Sequence, residues 1–344
     1  MNDLVSFLTR NRILSDADSE EWMVIKIRVL GSLSLAIIGI PCAHAQPYPS
    51  RPIRMVVPVT PGGSTDSTAR IVAQKMSDLM GRQIVVDNRP GGNSIIGTEL
   101  VAKSAPDGYT LLLAFATHIT TPALHSKLPY NTAEDFQAIT LLATQPLIVI
   151  TNNQTPVKSI KELIGMAKAN PGKLNFGLPG GGSAAHIAGE MFKIITGTDI
   201  NSVPYKGAVP AQIALVGNEV QLMFANIQTG IAMAKTGRIT VIGVATEKRL
   251  AQYPEVPTLA EQGIPKFEVE PWQGLLAPKR TPRAVIDAVH KAAVASVQSP
   301  EVIDKLVATG STPATSTPEA FTARINAQLK SWGEVIRKAG IRGE

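Results

Sequence analysis

Residues 53–59 form a predominantly apolar run, and the next apolar positions, Ala69, Val72, Ala73, Met76 and Leu79, recur at three- and four-residue intervals. The first pattern predicts a buried strand and the second one face of an amphipathic helix reaching about Met80. Between them lies Pro61-Gly62-Gly63-Ser64-Thr65-Asp66. Its glycines allow close backbone approach. The helix that begins there leaves its first N–H groups without intrahelical acceptors and carries partial positive charge at that end. The stretch is a candidate anion cradle.

The same strand, polar loop and helix recur along the chain. Strands are predicted over 83–86 and 110–115, the latter ending in Ala116-Thr117-His118, with a helix running to Ser104 between them. A long apolar segment, 138–151, then crosses to a second region. There 174–177, 202–205, 220–224 and 240–245 read as buried strands. The first three of these lead into Pro179-Gly180-Gly181-Gly182-Ser183, Lys206-Gly207-Ala208-Val209-Pro210 and Ala225-Asn226-Ile227-Gln228-Thr229, each followed by a helical pattern. Alternation of this kind predicts parallel sheets covered by helices, with ligands at the carboxyl ends of the strands.

Residues 267–277, with Trp272 in the middle, read as a second crossing strand. Two helices follow with Thr-Pro starts, Thr281-Pro282 and Thr317-Pro318, an N-cap ahead of a first-turn proline. Phe321, Ile325, Leu329, Trp332 and Ile336 fall on one face of the last, as core packing. Two crossings between two lobes imply a cleft over a two-stranded hinge, a layout suited to closure around a small solute.

Length and composition fit this layout. A chain of 344 residues with 44% apolar content can bury a sizeable core, and its length favours two domains. Lys26 and Arg28, an apolar run over 29–40 and Ala43-His44-Ala45 read as an export signal spanning about 23–45 and cut after Ala45. The apolar run is about 12 residues where a membrane span needs roughly 20. Residues 1–22 read as the product of a start codon placed too early. Cys42 falls within the removed segment and Pro41 precedes it, which disfavours a lipoprotein, and the mature chain then has no cysteine. Residues 1–45 hold four basic and five acidic side chains, so their removal moves the net charge from +6 to +7. That charge suits anionic small molecules, while the absence of Lys/Arg runs and the scattered aromatics exclude nucleic acid as a partner.

With these elements in place, the chain resembles the Bug-type periplasmic solute receptors of tripartite tricarboxylate transporters. The resemblance rests on Tyr48-Pro49-Ser50-Arg51-Pro52-Ile53, Pro61-Gly62-Gly63 with Asp66, Asp87-Asn88-Arg89-Pro90-Gly91, Ala105-Pro106-Asp107-Gly108-Tyr109-Thr110-Leu111, Leu128-Pro129-Tyr130, Pro204-Tyr205-Lys206-Gly207, Pro257-Thr258-Leu259-Ala260-Glu261 and Trp272. It implies an α/β, type II periplasmic-binding-protein fold: two lobes, 46–142 with 271–344 and 143–270, joined by two crossing strands. It further implies a periplasmic location, no catalysis, and delivery of a carboxylated solute, a di- or tricarboxylate or an aromatic acid, to a membrane permease of one large and one small subunit. A sensor kinase is the alternative partner, and a monomer is the natural state of a receptor that opens and closes. Many members carry Asp-Asn after the Met-Phe of the third second-lobe strand, whereas this chain has Ala225-Asn226. The missing acidic group removes a partner for a ligand ammonium and favours plain carboxylic acids over amino acids.

The expected ligand-facing set is Gly63, Ser64, Thr65, Asp66, Thr117 and His118 from the first lobe and Gly181, Gly182 and Ser183 from the second, with Asn226 and Trp272 shaping the far end. Within it Asp66 reads as a brace for its loop, since it would repel a carboxylate, and Ser64 and Ser183 also fit as plain helix caps. His118, His125 and His186 lack ligand-like spacing to cysteine or carboxylates, so no metal is expected. Gly180-Gly181-Gly182-Ser183-Ala184-Ala185 fits a dinucleotide-binding pattern, but the following strand ends Tyr205-Lys206-Gly207 without the acidic residue that would hold a ribose. No cofactor is expected. A cytoplasmic effector domain would need a helix-turn-helix where the export signal lies.

Overall fold

The structure, a computed structural model, describes residues 48–250, 253–265, 267 and 269–341. The expected export signal and early start over 1–45 lie outside the described residues.

Two sheets organise the chain. In the first, β1 (Ile53–Val57), β2 (Ile84–Asn88), β3 (Thr110–Phe115), β4 (Phe136–Thr144), β10 (Trp272–Pro278) and β11 (Thr312–Pro313) run in the order β11-β4-β10-β3-β1-β2. In the second, β5 (Leu147–Asn152), β6 (Asn175–Leu178), β7 (Asn201–Pro204), β8 (Leu222–Asn226) and β9 (Ile239–Val244) run β7-β6-β8-β5-β9. The parallel sheets expected from alternation are present as parallel runs within mixed sheets. β1, β2 and β3 are parallel, as are β6, β7 and β8, but β10 is antiparallel to β3 and β4, and β5 is antiparallel to β8 and β9. β5 and β10, the first strand after each lobe crossing, enter their sheets from the opposite end, which reverses their direction, whereas β4 and β9 keep that of their neighbours' parallel set.

The apolar segment 138–151 is likewise two strands and not one. Pro146 has no N–H to give a ladder, and with Gln145 it separates β4 from β5. At this crossing the Gln145 N–H donates to the Pro271 carbonyl at 2.8 Å, so the two connections between sheets are tied to each other. On the return crossing β10 begins at Trp272, later than the strand expected over 267–277.

Helices cover both faces of the first sheet. On one side α1 (Ser64–Met80), α8 (Arg283–Val297) and α9 (Pro300–Ala308) pack on Ile53, Met55, Leu111, Leu113 and Leu275. The α1 stripe buries Ala69, Val72, Ala73 and Met76 as expected, but Leu79, in the last turn, is half exposed because the helix outruns the sheet and ends at Gly81, φ 63°. On the other side lie α2 (Ile95–Ala102), α3 (Ala116–Leu124) and α10 (Pro318–Lys338). The second sheet carries α4 (Ile160–Ala169), α5 (Ala184–Thr196), α6 (Ala208–Val216) and α7 (Ile227–Ala234).

α10 starts as its sequence predicts, with the Thr317 hydroxyl accepting from Ala320 N and Pro318 in the first turn. It buries Phe321, Ile325, Trp332 and Ile336, and packs on both α3 and α5. One apolar cluster therefore continues from the first lobe into the second. α8 departs from expectation. It begins at Arg283 with Pro282 as its N-cap, and Thr281 instead donates its hydroxyl to the Pro278 carbonyl at 2.8 Å.

Candidate functional site

β7, β6 and β8 are neighbours, so the loops at their carboxyl ends and the helices that follow also lie side by side. From the first lobe, α3 begins directly at the end of β3. A cavity of about 230 Å³ collects these four helix starts. It is bounded by Ser183, Ala184 and Ala185 of α5, Ala208 of α6, Asn226 and Thr229 of α7, Ala116 of α3, and Gln145, Leu147 and Pro271 at the hinge. Helix starts carry unpaired N–H groups and partial positive charge, so the cavity is biased toward an anion.

The caps decide which N–H groups remain available. The Ser183 hydroxyl accepts from His186 N at 3.2 Å and donates to the Gly180 carbonyl at 2.9 Å, so its proton is committed to its own turn. Asn226 accepts through Oδ1 from Thr229 N at 2.9 Å, and its amide nitrogen has no partner among the described residues. α6 has no side-chain cap. Gly207 precedes it at φ 109°, a conformation that favours glycine, and Pro210 supplies no N–H, which leaves those of Ala208 and Val209. α3 is preceded by extended Phe115, also without a side-chain cap.

The expected site residues separate into three groups. Ser183 and Asn226 line the cavity. Gly181 lies on a larger recess of about 710 Å³, beyond Pro179, with His125, His186 and Lys206. Gly182, at φ 69°, presses on the opposite lobe: a Cβ there would stand 2.7 Å from Leu124 Cδ1. Thr117 stands in the first turn of α3, where its Oγ1 donates to Ser94 Oγ at 3.1 Å.

The α1 loop stands apart from the cavity. Gly63 and Ser64 are exposed, and Gly63 caps α1 without a side-chain hydrogen bond. Thr65 reaches toward the hinge, its hydroxyl accepting from Gln273 Nε2 at 3.4 Å. Asp66 is buried and takes hydrogen bonds from Gly62 N at 3.0 Å, Asn88 Nδ2 at 2.9 Å and Arg70 Nε at 3.0 Å. Burial by itself would raise this carboxyl, but the hydrogen bonds and the Arg70 charge hold it below the usual carboxylate value.

Two members of the expected set are buried in the core and do not line the cavity. Trp272 is a correction: its ring is buried edge-on against Phe321, 4.8 Å between centroids, and its Nε1 donates to Gln328 Oε1 at 2.6 Å. The strand turns it onto the α10 side. His118 is the second correction. Its ring packs edge-on to Phe136 at 5.1 Å, neither nitrogen has a hydrogen-bond partner among the described residues, and burial lowers its pKa to about 4. It is a neutral core group.

Cavity residues absent from the expected set include Gln145, Ala208, Gln212 and Pro271. The break at Gln145-Pro146 was visible in the sequence. The inward side of α6 was not, because that helix is apolar on nearly every face. Beside the larger recess a further polar cluster joins α5 to β7. Glu190 Oε1 accepts from Lys193 Nζ at 2.8 Å and Ser202 Oγ at 2.5 Å, with His186 Nε2 at 3.7 Å. Burial would raise the Glu190 carboxyl, but these partners together lower it to about 2. The cluster is a fastening for the edge strand.

Residues 68–341 match the model of the tripartite tricarboxylate transporter family receptor. Protein BugT of Bordetella pertussis is 36% identical over 318 residues, covering 90% of this chain and 98% of BugT. Rpa4515 of R. palustris, solved with adipate, superposes with a TM-score of 0.71 at 32% identity over 86% of this chain and 99% of its own. MatC from Rhodopseudomonas palustris, solved with bound malate, gives 0.67 at 28% identity over 84% and 100%. The fold is that of the periplasmic binding proteins, two α/β lobes with a cleft between them.

Proposed function

Because the chain belongs to the tripartite tricarboxylate transporter receptor family, a family of periplasmic solute receptors and not of enzymes, we propose that it captures a small carboxylated solute between its lobes. The solute is a di- or tricarboxylate or an aromatic acid, and the protein hands it to a membrane permease of one large and one small subunit. It acts as a monomer in the periplasm, exported by the signal over 23–45.

The observation that carries this reading is the meeting of four helix starts on one interlobe cavity. Removing a carboxylate from water costs several kcal/mol. A helix dipole returns about 0.3–1 kcal/mol, up to roughly 2 when partly buried, and each hydrogen bond to a charged group about 1.5–3 kcal/mol. Dipoles alone lose, so direct N–H donors are required, and Ala184, Ala185 and Ala208 on the cavity are placed to supply them. Ordered water extends their reach. The relatives solved with adipate and malate support the same ligand chemistry.

The test is native mass spectrometry of protein purified from its source cells, followed by calorimetry with a broad panel of acids. A retained small acid and a matching heat of binding are expected. An empty protein that responds to no acid in the panel would count against the proposal.

A further inference from the structure

Resting on the carboxylate-receptor reading above, we propose that His186 positions the glycine loop ahead of α5 for the solute, and that it does so only as a neutral imidazole. Solute capture is then coupled to loss of a proton from this ring, and affinity falls as the solution is acidified.

The loop serves both hollows and the opposite lobe. Pro179 and Ser183 bound the 230 Å³ cavity, Gly180 and Gly181 border the larger recess, and Gly182 meets Leu124 of the first lobe. Two of the hydrogen bonds that shape it belong to the Ser183 hydroxyl, one to the Gly180 carbonyl and one from His186 N. A third runs from Gly182 N to His186 Nδ1 at 3.1 Å. Gly182 is buried, so loss of that acceptor would leave its N–H unpaired.

Donation from Gly182 requires a bare lone pair on Nδ1, so the ring proton lies on Nε2, which faces Glu190 Oε1 at 3.7 Å. A second proton has only Nδ1 to occupy. There it would meet the Gly182 N–H donor to donor, and the contact must open. Imidazole is the side chain suited to such a change between pH 5 and 8. The neighbouring helix starts hold no counterpart: α7 is capped by the Asn226 amide, and α6 has no side-chain cap.

The charges around the ring act in both directions. Glu190 on α5 favours the added proton, while Lys193, 2.8 Å from Glu190, and Lys206 from the loop after β7 oppose it. His125, at the end of α3, borders the same recess from the first lobe, and Tyr205, its pKa raised by burial, stays neutral. Substitution at position 186 separates this proton from theirs.

The test titrates malate, adipate, citrate and benzoate calorimetrically into the purified protein at pH 8 and pH 5. Asparagine offers a carbonyl oxygen near the place of Nδ1 and takes up no proton, so His186→Asn is the comparison, and ionisation of the acid itself is common to both proteins. Between pH 8 and pH 5 the parent is expected to lose about tenfold more affinity than His186→Asn, the worth of one ordinary hydrogen bond. At pH 8 His186→Asn should bind like the parent, and His186→Ala, with no acceptor, about tenfold more weakly. Parallel pH profiles in parent and His186→Asn, or an asparagine variant as weak as the alanine one at pH 8, overturn the inference and leave the receptor reading intact. If none of the four acids gives heat, protection of the Gly182 amide against hydrogen exchange, followed by NMR and corrected for its intrinsic pH dependence, decides. Protection lost toward pH 5 in the parent and kept in His186→Asn supports the loop clamp, and equal protection overturns it.

Discussion

In the first lobe the loop ahead of α1 is held by a buried carboxylate, Asp66, which draws in Gly62, Asn88 and Arg70. In the second lobe the loops ahead of α5 and α7 are held by the short caps Ser183 and Asn226, and the loop ahead of α6 has a glycine cap without a side-chain hydrogen bond. The first arrangement concentrates stability in one charged hub away from the cavity. The second distributes it over weak local bonds at the cavity wall. A wall fastened locally leaves backbone N–H groups pointing outward, whereas a buried carboxylate beside the ligand would repel an acid.

The largest expected effect comes from forcing the lobes apart where they touch. Gly182→Val places a branched side chain at φ 69° and against Leu124 of the other lobe. Affinity for the retained acid should fall about a hundredfold or more, equivalent to about 3 kcal/mol, in calorimetry. Unchanged affinity would mean that this contact plays no part in closure. Next is Asp66→Ala, which strips three donors of their acceptor and should cost about 3 kcal/mol in urea unfolding. A loss under about 1 kcal/mol would reduce the hub to an ordinary surface pair.

His118 gives a pH-dependent contrast inside the first lobe. Its pKa in the folded protein, about 4, lies below the ordinary 6.5, so the unfolded chain binds the extra proton first as the solution is acidified. The stability it protects is whole above pH 6.5 and drains away as pH falls toward 4, by on the order of 3 kcal/mol. His118→Leu should flatten the stability profile over that window. Glu190, lowered to about 2 from 4.5, loses its contribution mainly below that range, so the two are separable. Equal slopes in parent and variant would show that the imidazole is not buried neutral. The smallest effect is Asn226→Ala, which removes a cap and should cost about 1 kcal/mol in thermal unfolding.

Much of the architecture was legible because apolar runs and helical spacing report burial directly. β1, β3 and the α10 face emerge where they were expected. Direction was harder to read. β10 is buried on both faces, so no polar alternation reveals that Trp272 turns toward α10 while Gln273 turns toward α1. His118 sits in a first helical turn near the cavity, and residue type alone does not tell that its ring enters the core. The loops of the second lobe were recognisable from glycine and cap residues, but Gln145 and Gln212 carry no motif. Only the tertiary arrangement brings the hinge and the side of α6 to the same cavity.

The most direct test of the central claim is a crystal structure of the protein carrying the acid it retains. The account predicts electron density for that acid between the lobes, with its carboxylate within hydrogen-bond distance of backbone N–H groups at the starts of α5 and α6. Density on an outer face, or an acid in the cleft whose carboxylate turns away from those helix starts, would contradict it.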